Sequence, residues 1–162
     1  MQLAELDALP LLLESVGLLS ECPSREQITA LADMLDPLEA VHGVVDIHTM
    51  HHVHGGLYGR SVVIKAGTLV VGAVHKIPGF ARCVGDLTSW TERGRERFTG
   101  AHLIESVPGP RVVFAHADTT WFTVHPNLTG DTDVAAIEAA IVETPNRLMS
   151  RRTTTQLMLV AA

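Results

Sequence analysis

Aromatic residues and cysteines are scarce in this sequence. Phe, Trp and Tyr make up only 4% of its 162 residues, so core filling is favoured for Trp90 and Trp121, with the lining of a ligand pocket as the alternative. The two cysteines, Cys22 and Cys83, lie far apart and follow no metal-binding or redox spacing. We interpret them as free thiols in a reducing compartment and expect a cytoplasmic protein.

The sequence also lacks a basic stripe, a secretory signal and a membrane-spanning run. Its net charge is −6 at pH 7, and the arginines of residues 92–97 interleave with glutamates. A nucleic-acid surface needs a larger positive excess, so no nucleic-acid binding is expected. The N-terminus carries Glu5 and Asp7 with no basic region, and the apolar runs, such as 69–74, are too short to span a bilayer. We therefore expect no membrane association.

Apolar residues are plentiful enough to fill a sizeable core. They make up 46% of the chain, and its length suits one domain. The pattern changes along the chain and predicts three segments. These are a helical N-terminal arm (1–42), a β-rich segment (43–127), and a C-terminal helix and tail (128–162).

The N-terminal segment carries helix signals. Ser24 and Gln27 fit a capping box, apolar residues then recur at helical spacing, and Pro37 is predicted to end the helix. The earlier run 3–19 is helix-like but is interrupted by a proline and a glycine. We expect that run to pack on the domain or on a second subunit, and a homodimer is predicted.

The middle segment alternates short β-branched runs with turn signals. The runs are SVVIK, TLVVGAVH, ARCV, LTSW, AHLIESV, RVVFAH and TTWFTVH. Turn pairs such as Ala66-Gly67, Gly85-Asp86 and Pro108-Gly109 separate them. This regular spacing is typical of an antiparallel sandwich or barrel and does not fit βαβ units.

Helical periodicity returns near the C-terminus. One apolar face is formed by Val134, Ile137, Ile141 and Val142. Asp131 or Thr132 is expected to cap the start of this helix, and Pro145 follows its end.

The motifs of the β-rich segment resemble the cupin superfamily. Their order is most similar to small cupin-like proteins often found in phages and prophages. The resembling elements are His51-His52, Gly56-Leu57-Tyr58-Gly59-Arg60, Ala66-Gly67-Thr68, Gly72-Ala73-Val74-His75-Lys76, Pro108-Gly109, Ala115-His116-Ala117-Asp118-Thr119-Thr120-Trp121 and His125. The resemblance implies a mainly β, double-stranded β-helix (jelly roll) with a ligand pocket inside the barrel.

The resemblance also implies a divalent metal in the barrel, such as Fe, Zn, Ni or Mn. Cupins commonly hold it with two histidines and a glutamate from one motif and a histidine from a second. In this chain His75 matches the first histidine, but Ile77 stands where the next is expected. No glutamate follows in residues 78–84, and Arg111 follows the turn that opens the second motif. The usual ligand set therefore cannot be carried over.

Other histidines offer an alternative metal site. In a strand, residues of equal parity share a face, so His48, His52 and His54 would lie on one face and His51 on the other. His75 and His125 end strands that are expected to be neighbours. The predicted metal ligands are His52, His75 and His125. The opposing interpretation makes the histidines of 48–54 a solvated edge strand or polar rim.

Further side chains are candidates for a ligand pocket. Arg60 and Arg111 interrupt apolar strands and either bind a ligand carboxylate or phosphate, or face solvent. The candidate substrate-binding residues are His54, Arg60, Trp90 and Arg111. The candidate catalytic residues are Tyr58 and His116, although His116 also suits a tight turn.

Three functions remain open at this stage. The first is a histidine-ligated metal enzyme acting on a small polar or anionic molecule. The second is a metal-free isomerase or epimerase that uses a histidine as general base and Tyr58 as acid. The third is a non-catalytic binding or accessory protein of a phage particle or of its infection programme. Whether the chain is an enzyme does not follow from the sequence, because this fold hosts many activities.

Overall fold

The structure is a computed structural model that describes residues 13, 15, 17, 20–42 and 47–143, with only the backbone described for 36–42. Of the predicted arm helix within 3–19, only residues 13, 15 and 17 are among the described residues. The tail after 143, with Pro145, lies outside them. No helix in the described part of the chain is long and apolar enough to span a membrane.

Two helices and seven strands make up the described elements. In chain order they are α1 (Arg25–His42), β1 (Thr49–His54), β2 (Leu57–Ile64), β3 (Leu69–Val71), β4 (Gly79–Thr91), β5 (Gly94–Ser106), β6 (Val112–Ala115), β7 (Thr119–Pro126) and α2 (Val134–Ile141). The molecule is mainly β with a helix at each end, as the sequence predicts.

All seven strands belong to one curled antiparallel sheet. Its order is β1-β2-β7-β4-β6-β3, and β5 pairs with the other edge of β4. The first half of β4 pairs with β7 and the second half with β6. The sheet therefore folds over on itself into a half-barrel of the jelly-roll type, and the predicted fold class is confirmed.

The change of partner along β4 occurs at Gly85. The sequence predicts a turn at Gly85-Asp86 between two strands, and this prediction is wrong because β4 runs unbroken through both residues. Gly85 has a φ of 150°, and a Cβ there would lie 2.7 Å from the Cα of Thr119. A side chain is excluded at this close approach, so glycine lets the strand bend without ending.

Among the described residues, three apolar clusters form the core. The first fills the inner face of the sheet and includes Val62, Leu87 and Trp121. The second lies between α1 and the outer face of the β3–β6 half of the sheet, and it contains Trp90. The third packs α2 over the inner face of the sheet near Tyr58. The two helices therefore cover opposite faces of the sheet.

The capping box at the start of α1 is present. The Ser24 backbone N–H donates to Gln27 Oε1 at 2.6 Å, and the Gln27 N–H donates to Ser24 Oγ at 3.3 Å. The prediction that Pro37 ends this helix is wrong, because the helical backbone continues to His42. A proline removes one backbone donor, but the residues after it can keep helical dihedral angles.

The cap of α2 differs from the predicted one. Its N-cap is Asp133, whose carboxylate accepts from the Ala135 N–H at 3.0 Å. Asp131 instead accepts from the N–H groups of Thr132 and Asp133 in the preceding turn. The N-cap of α2 is therefore one or two residues later in the chain than the predicted Thr132 or Asp131. Ile137, Ile141 and Val142 are buried on the predicted apolar face.

Candidate functional site

The β1–β2 hairpin decides which side chains face the interior. Its two-residue turn, Gly55-Gly56, has φ values of 58° and 74°, which a type I′ turn requires at both central positions. The resulting register pairs His51 with Arg60 and Val53 with Tyr58. Directly paired residues project to the same face, so His51 shares the inner face with Tyr58 and Arg60.

A cavity of about 190 Å³ opens at this inner face. Its polar and aromatic lining includes Arg60, His75, Glu92, Arg93, Arg111, Trp121 and Thr123. Apolar residues such as Ile64, Val70 and Val113 complete the wall. An apolar cavity with a few convergent polar groups is the usual form of a small-molecule site.

Arg60 is the most unusual group in the cavity. Its Nη1 atom is buried and has no hydrogen-bond partner in the described part of the chain. Burial lowers the pKa of Arg60, and the neighbouring Tyr58 and Glu138 partly oppose that shift. The guanidinium remains charged, because the pKa of free arginine is far above neutrality. A buried, charged and unpaired donor is thus directed at the cavity.

Arg111 lies on the same wall in a different environment. Its Nη1 donates to Ser89 Oγ at 3.3 Å, and its Cζ lies 5.5 Å from the centroid of the Trp121 ring. Burial lowers the pKa of Arg111, with a smaller opposing effect from Glu96. Arg60 and Arg111 both add positive charge to the cavity wall. None of the described ion pairs joins either arginine to a carboxylate.

His75 is held between two parts of the chain by its backbone. Its N–H donates to the Gly109 carbonyl at 3.2 Å and its carbonyl accepts from the Gly109 N–H at 2.9 Å, while a second bridge joins it to Val142 at the end of α2. Burial lowers the pKa of His75 to about 3, with smaller contributions in the same direction from the neighbouring His125, Arg60 and Arg111. The imidazole is therefore neutral near pH 7.

His125 contacts His75 within the barrel. The ring centroids lie 4.6 Å apart with the planes at 74°. His125 Nδ1 donates to the Pro78 carbonyl at 3.4 Å, since a carbonyl only accepts. Nε2 of the neutral ring therefore carries the lone pair, and this atom is buried without a partner among the described residues. Burial lowers the pKa of His125 as well.

A buried polar network lies next to this pair. The Tyr58 hydroxyl donates to Glu138 Oε1 at 3.0 Å, and His51 Nδ1 lies 2.8 Å from the same hydroxyl. Because the tyrosine proton goes to the carboxylate, His51 donates through Nδ1. Glu138 is 1% exposed and comes from α2. Tyr58 therefore bonds to the helix, and it does not line the cavity.

Sequence reasoning missed Glu138 and His51. Glu138 lies in a helix whose pattern shows only an apolar face, so nothing local marks it. His51 could have been found, because a two-residue Gly55-Gly56 turn fixes the pairing of His51 with Arg60.

The three predicted metal ligands do not meet. His75 and His125 are in contact, but His52 lies on the outer face of the sheet. There its Nε2 lies 3.3 Å from Ser61 Oγ and its ring packs edge-on against Phe122. His51 and His52 do lie on opposite faces of β1, as predicted. The interior face is the one that carries His51, and the prediction had assigned His52 to it.

Three other candidates lie away from the cavity. His54 is exposed at the end of β1. Trp90 is 3% exposed and packs in the cluster beneath α1 on the opposite face of the sheet. His116 lies in the β6–β7 connection, where its Nε2 is 2.8 Å from Thr88 Oγ1. Burial of the His116 ring lowers its pKa. These positions correct the predicted pocket contacts of Trp90 and His54 and favour a turn role for His116.

The donor set does not fit a divalent metal. Protein sites for zinc and related ions need three or more ligands, and in the described ranges no three His, Cys, Asp or Glu side chains converge. His75 and His125 supply two imidazoles, and the positive charges of Arg60 and Arg111 act on His75. Those charges disfavour a cation in the same cavity.

Comparisons with known proteins find similarity in structure only. No family model and no curated protein matches the sequence. Ectoine synthase from P. lautus is similar at 19% identity over 53% of this chain and 69% of that chain, with a TM-score of 0.44. A cupin superfamily protein from Desulfitobacterium hafniense is similar at 6% identity over 56% and 87%, with a TM-score of 0.44. A cupin-2 domain protein from Shewanella frigidimarina is similar at 7% identity over 56% and 89%, with a TM-score of 0.40.

Proposed function

We propose that this chain is a cupin-like jelly-roll protein that binds a small anionic molecule in the cavity beside Arg60. The observation that carries this proposal is the buried Nη1 of Arg60, which has no partner among the described residues. An unpaired buried donor costs about 1–3 kcal/mol, and more when it is charged. A carboxylate or phosphate oxygen at this atom removes that cost.

Arg111 and Trp121 support the same ligand chemistry. Arg111 adds a second positive charge to the wall, and its contacts with Ser89 and the Trp121 ring hold the guanidinium in place. A fixed guanidinium loses little side-chain entropy when it binds an anion. The cavity volume of about 190 Å³ restricts the ligand to a small molecule.

A metal-dependent reaction is not the function that these residues favour. The cavity is lined by three guanidinium groups, one carboxylate and a neutral imidazole, and this net positive charge favours an anion over a metal cation. Anion affinity should therefore be equal before and after dialysis against EDTA. A loss of affinity that returns with added Zn²⁺, Fe²⁺, Ni²⁺ or Mn²⁺ would restore the metal hypothesis.

Calorimetric titration tests anion binding directly. Acetate, butyrate and inorganic phosphate are titrated into the wild type, the Arg60→Gln variant and the control Arg82→Gln. Arg82 is exposed on β4, so the control removes the same charge from outside the barrel. We expect the wild type and the control to bind alike and Arg60→Gln to bind at least tenfold more weakly, since hydrogen bonds to charged groups contribute about 1.5–3 kcal/mol. Equal affinities in all three proteins would refute the proposal.

A second candidate function is proton transfer on the bound molecule, as in a metal-free isomerase or epimerase. The neutral His75 favours it, because this imidazole lines the cavity together with Arg60 and its ring contacts His125. This reaction moves a proton from the carbon beside a carboxylate to His75 and back, with no net change in oxidation state. Proton NMR in D₂O would show loss of that C–H signal from a bound carboxylic acid with wild type and not with His75→Gln. Retention of the signal for every carboxylate that binds would leave binding as the function.

A further inference from the structure

The lining of the cavity beside Arg60 also includes a negatively charged side chain. Glu92 lies in the β4–β5 turn and lines the same cavity as Arg60 and His75. Its Oε2 lies against Gly109, where a Cβ atom would come within 3.0 Å of it. Gly109 has a φ of 128° and is bridged to His75. Because Gly109 has no side chain, the Glu92 carboxylate can lie against its backbone, and Gly109 in turn pairs with His75.

No close cation neutralises the Glu92 carboxylate. Arg93 follows it in the turn and lines the same cavity, but no ion pair within 4.0 Å involves either residue in the part of the chain that the structure describes. Glu92 makes a small contribution to the raised pKa of Arg25, but the direct ion-pair partner of Arg25 is Glu143. Glu92 is thus free to receive a positively charged group of a ligand.

The lining of the cavity therefore contains groups of both charges. Arg60 on β2 presents an unpaired cationic donor, and Glu92 at the β4–β5 turn presents a carboxylate next to Arg93. Apolar side chains, the neutral His75 and Trp121 are among the other lining residues. A ligand that satisfies both Arg60 and Glu92 carries a negative group and a positive group joined by a short carbon chain.

We propose that the ligand of this cavity is a small zwitterion, an amino carboxylate whose carboxylate binds Arg60 and whose ammonium group binds Glu92. This inference rests on the proposed anion site and adds the second contact. A simple carboxylate can pair with Arg60 but has no group that pairs with Glu92. The ammonium group adds an ion pair with a partly solvated carboxylate, so the added affinity is modest, about two- to fivefold.

The experiment compares each amino acid with the carboxylate of equal chain length. Glycine, 3-aminopropionate and 4-aminobutyrate are titrated against acetate, propionate and butyrate, with Glu92→Gln as the test variant. Glu105→Gln is the control, because Glu105 lies opposite Phe80 on the outer-facing register of β5. We expect the wild type and the control to prefer the amino acid in at least one pair. Glu92→Gln should lose that preference, and its affinity for the carboxylate should not fall, because the variant removes a negative charge from the lining.

Gly109→Ala gives an independent test of the same contact. The added methyl group occupies the space next to Glu92 Oε2, and alanine is also strained at a φ of 128°, so urea unfolding first establishes that the variant is folded. In the folded variant we expect the preference for the amino acid to fall while the affinity for butyrate changes less. If the wild type binds each amino acid and its matched carboxylate equally, the zwitterion is refuted and the anion site stands. If no carboxylate binds, the anion site itself is refuted.

Discussion

The imidazole rings of His75 and His125 lie edge to face, with centroids 4.6 Å apart. His75 is bridged to the end of α2, and His125 is on β7, so the contact depends on the whole sheet closing. Both rings have lowered pKa values, principally because of burial. Two neutral histidines next to two arginines form a site that differs in kind from a cluster of metal ligands.

Acid should destabilise the protein through His75. Its pKa is lowered to about 3 from the ordinary value of about 6.5, so below pH 6.5 the unfolded chain binds a proton that the folded chain does not. Stability is therefore full above pH 6.5 and is lost as the pH falls from 6.5 towards 3. Between pH 6.5 and 5 the loss due to His75 is about 2 kcal/mol. Urea unfolding at each pH should show a shallower pH dependence for His75→Gln than for the wild type.

Other histidines titrate in both proteins and cancel in that comparison. The exposed His54→Gln variant is the control, and its unfolding free energy should follow the wild-type curve. Parallel curves for the wild type and His75→Gln would contradict the buried, neutral state of His75.

Removal of the Tyr58 hydroxyl should destabilise the fold without unfolding it. Tyr58→Phe deletes a hydrogen bond to the buried carboxylate of Glu138, and loss of such a partner costs about 1–3 kcal/mol. Urea unfolding measures this cost as a lower midpoint. A double-mutant cycle with Glu138→Gln should give a coupling energy of the same order. A coupling energy near zero would show that the two groups do not interact.

Gly85 should tolerate alanine less well than Gly100 does. Both have positive φ values, 150° and 91°, so alanine is strained at each. At Gly85 the new methyl group also lies within 2.7 Å of the Thr119 Cα, whereas at Gly100 no atom lies within 4 Å. We expect Gly85→Ala to lose about 1–3 kcal/mol more than Gly100→Ala in thermal or urea unfolding. Equal losses would mean that the close approach of β4 to Thr119 is absent.

Ligand binding should change the fluorescence of one tryptophan only. Trp121 lines the cavity and lies beneath Arg111, whereas Trp90 is buried under α1 on the other face of the sheet. Saturating butyrate should therefore alter the emission of Trp90→Phe, which keeps Trp121. Trp121→Phe should show no change. A response that persists in Trp121→Phe would place the ligand elsewhere.

Much of the fold follows from local sequence signals. The capping box at Ser24, the alternation of β1 and β7 and the apolar face of α2 are all present in the structure. The prediction of a turn at Gly85 failed because a glycine marks both turns and bends, and only the partner strand distinguishes them. The position of Pro37 within α1 was missed because one lost hydrogen bond does not decide where a helix ends.

The candidate site was predicted only in part. Arg60, Arg111 and His75 line the cavity, but His52 was chosen where His51 faces inward. Period-two alternation assigns residues to two faces and does not say which face is inside. For β1 that choice depends on the pairing with β2 across the Gly55-Gly56 turn.

The sequence by itself determined the β-rich class, the helix on each side of the strands and the turn at Ala66-Gly67, because these depend on local propensity and composition. The tertiary structure alone decided that Glu138 contacts Tyr58, that Trp90 faces α1, and that Arg60 is buried without a partner. Such contacts join residues far apart in the chain, and they depend on the register and curl of the sheet as a whole.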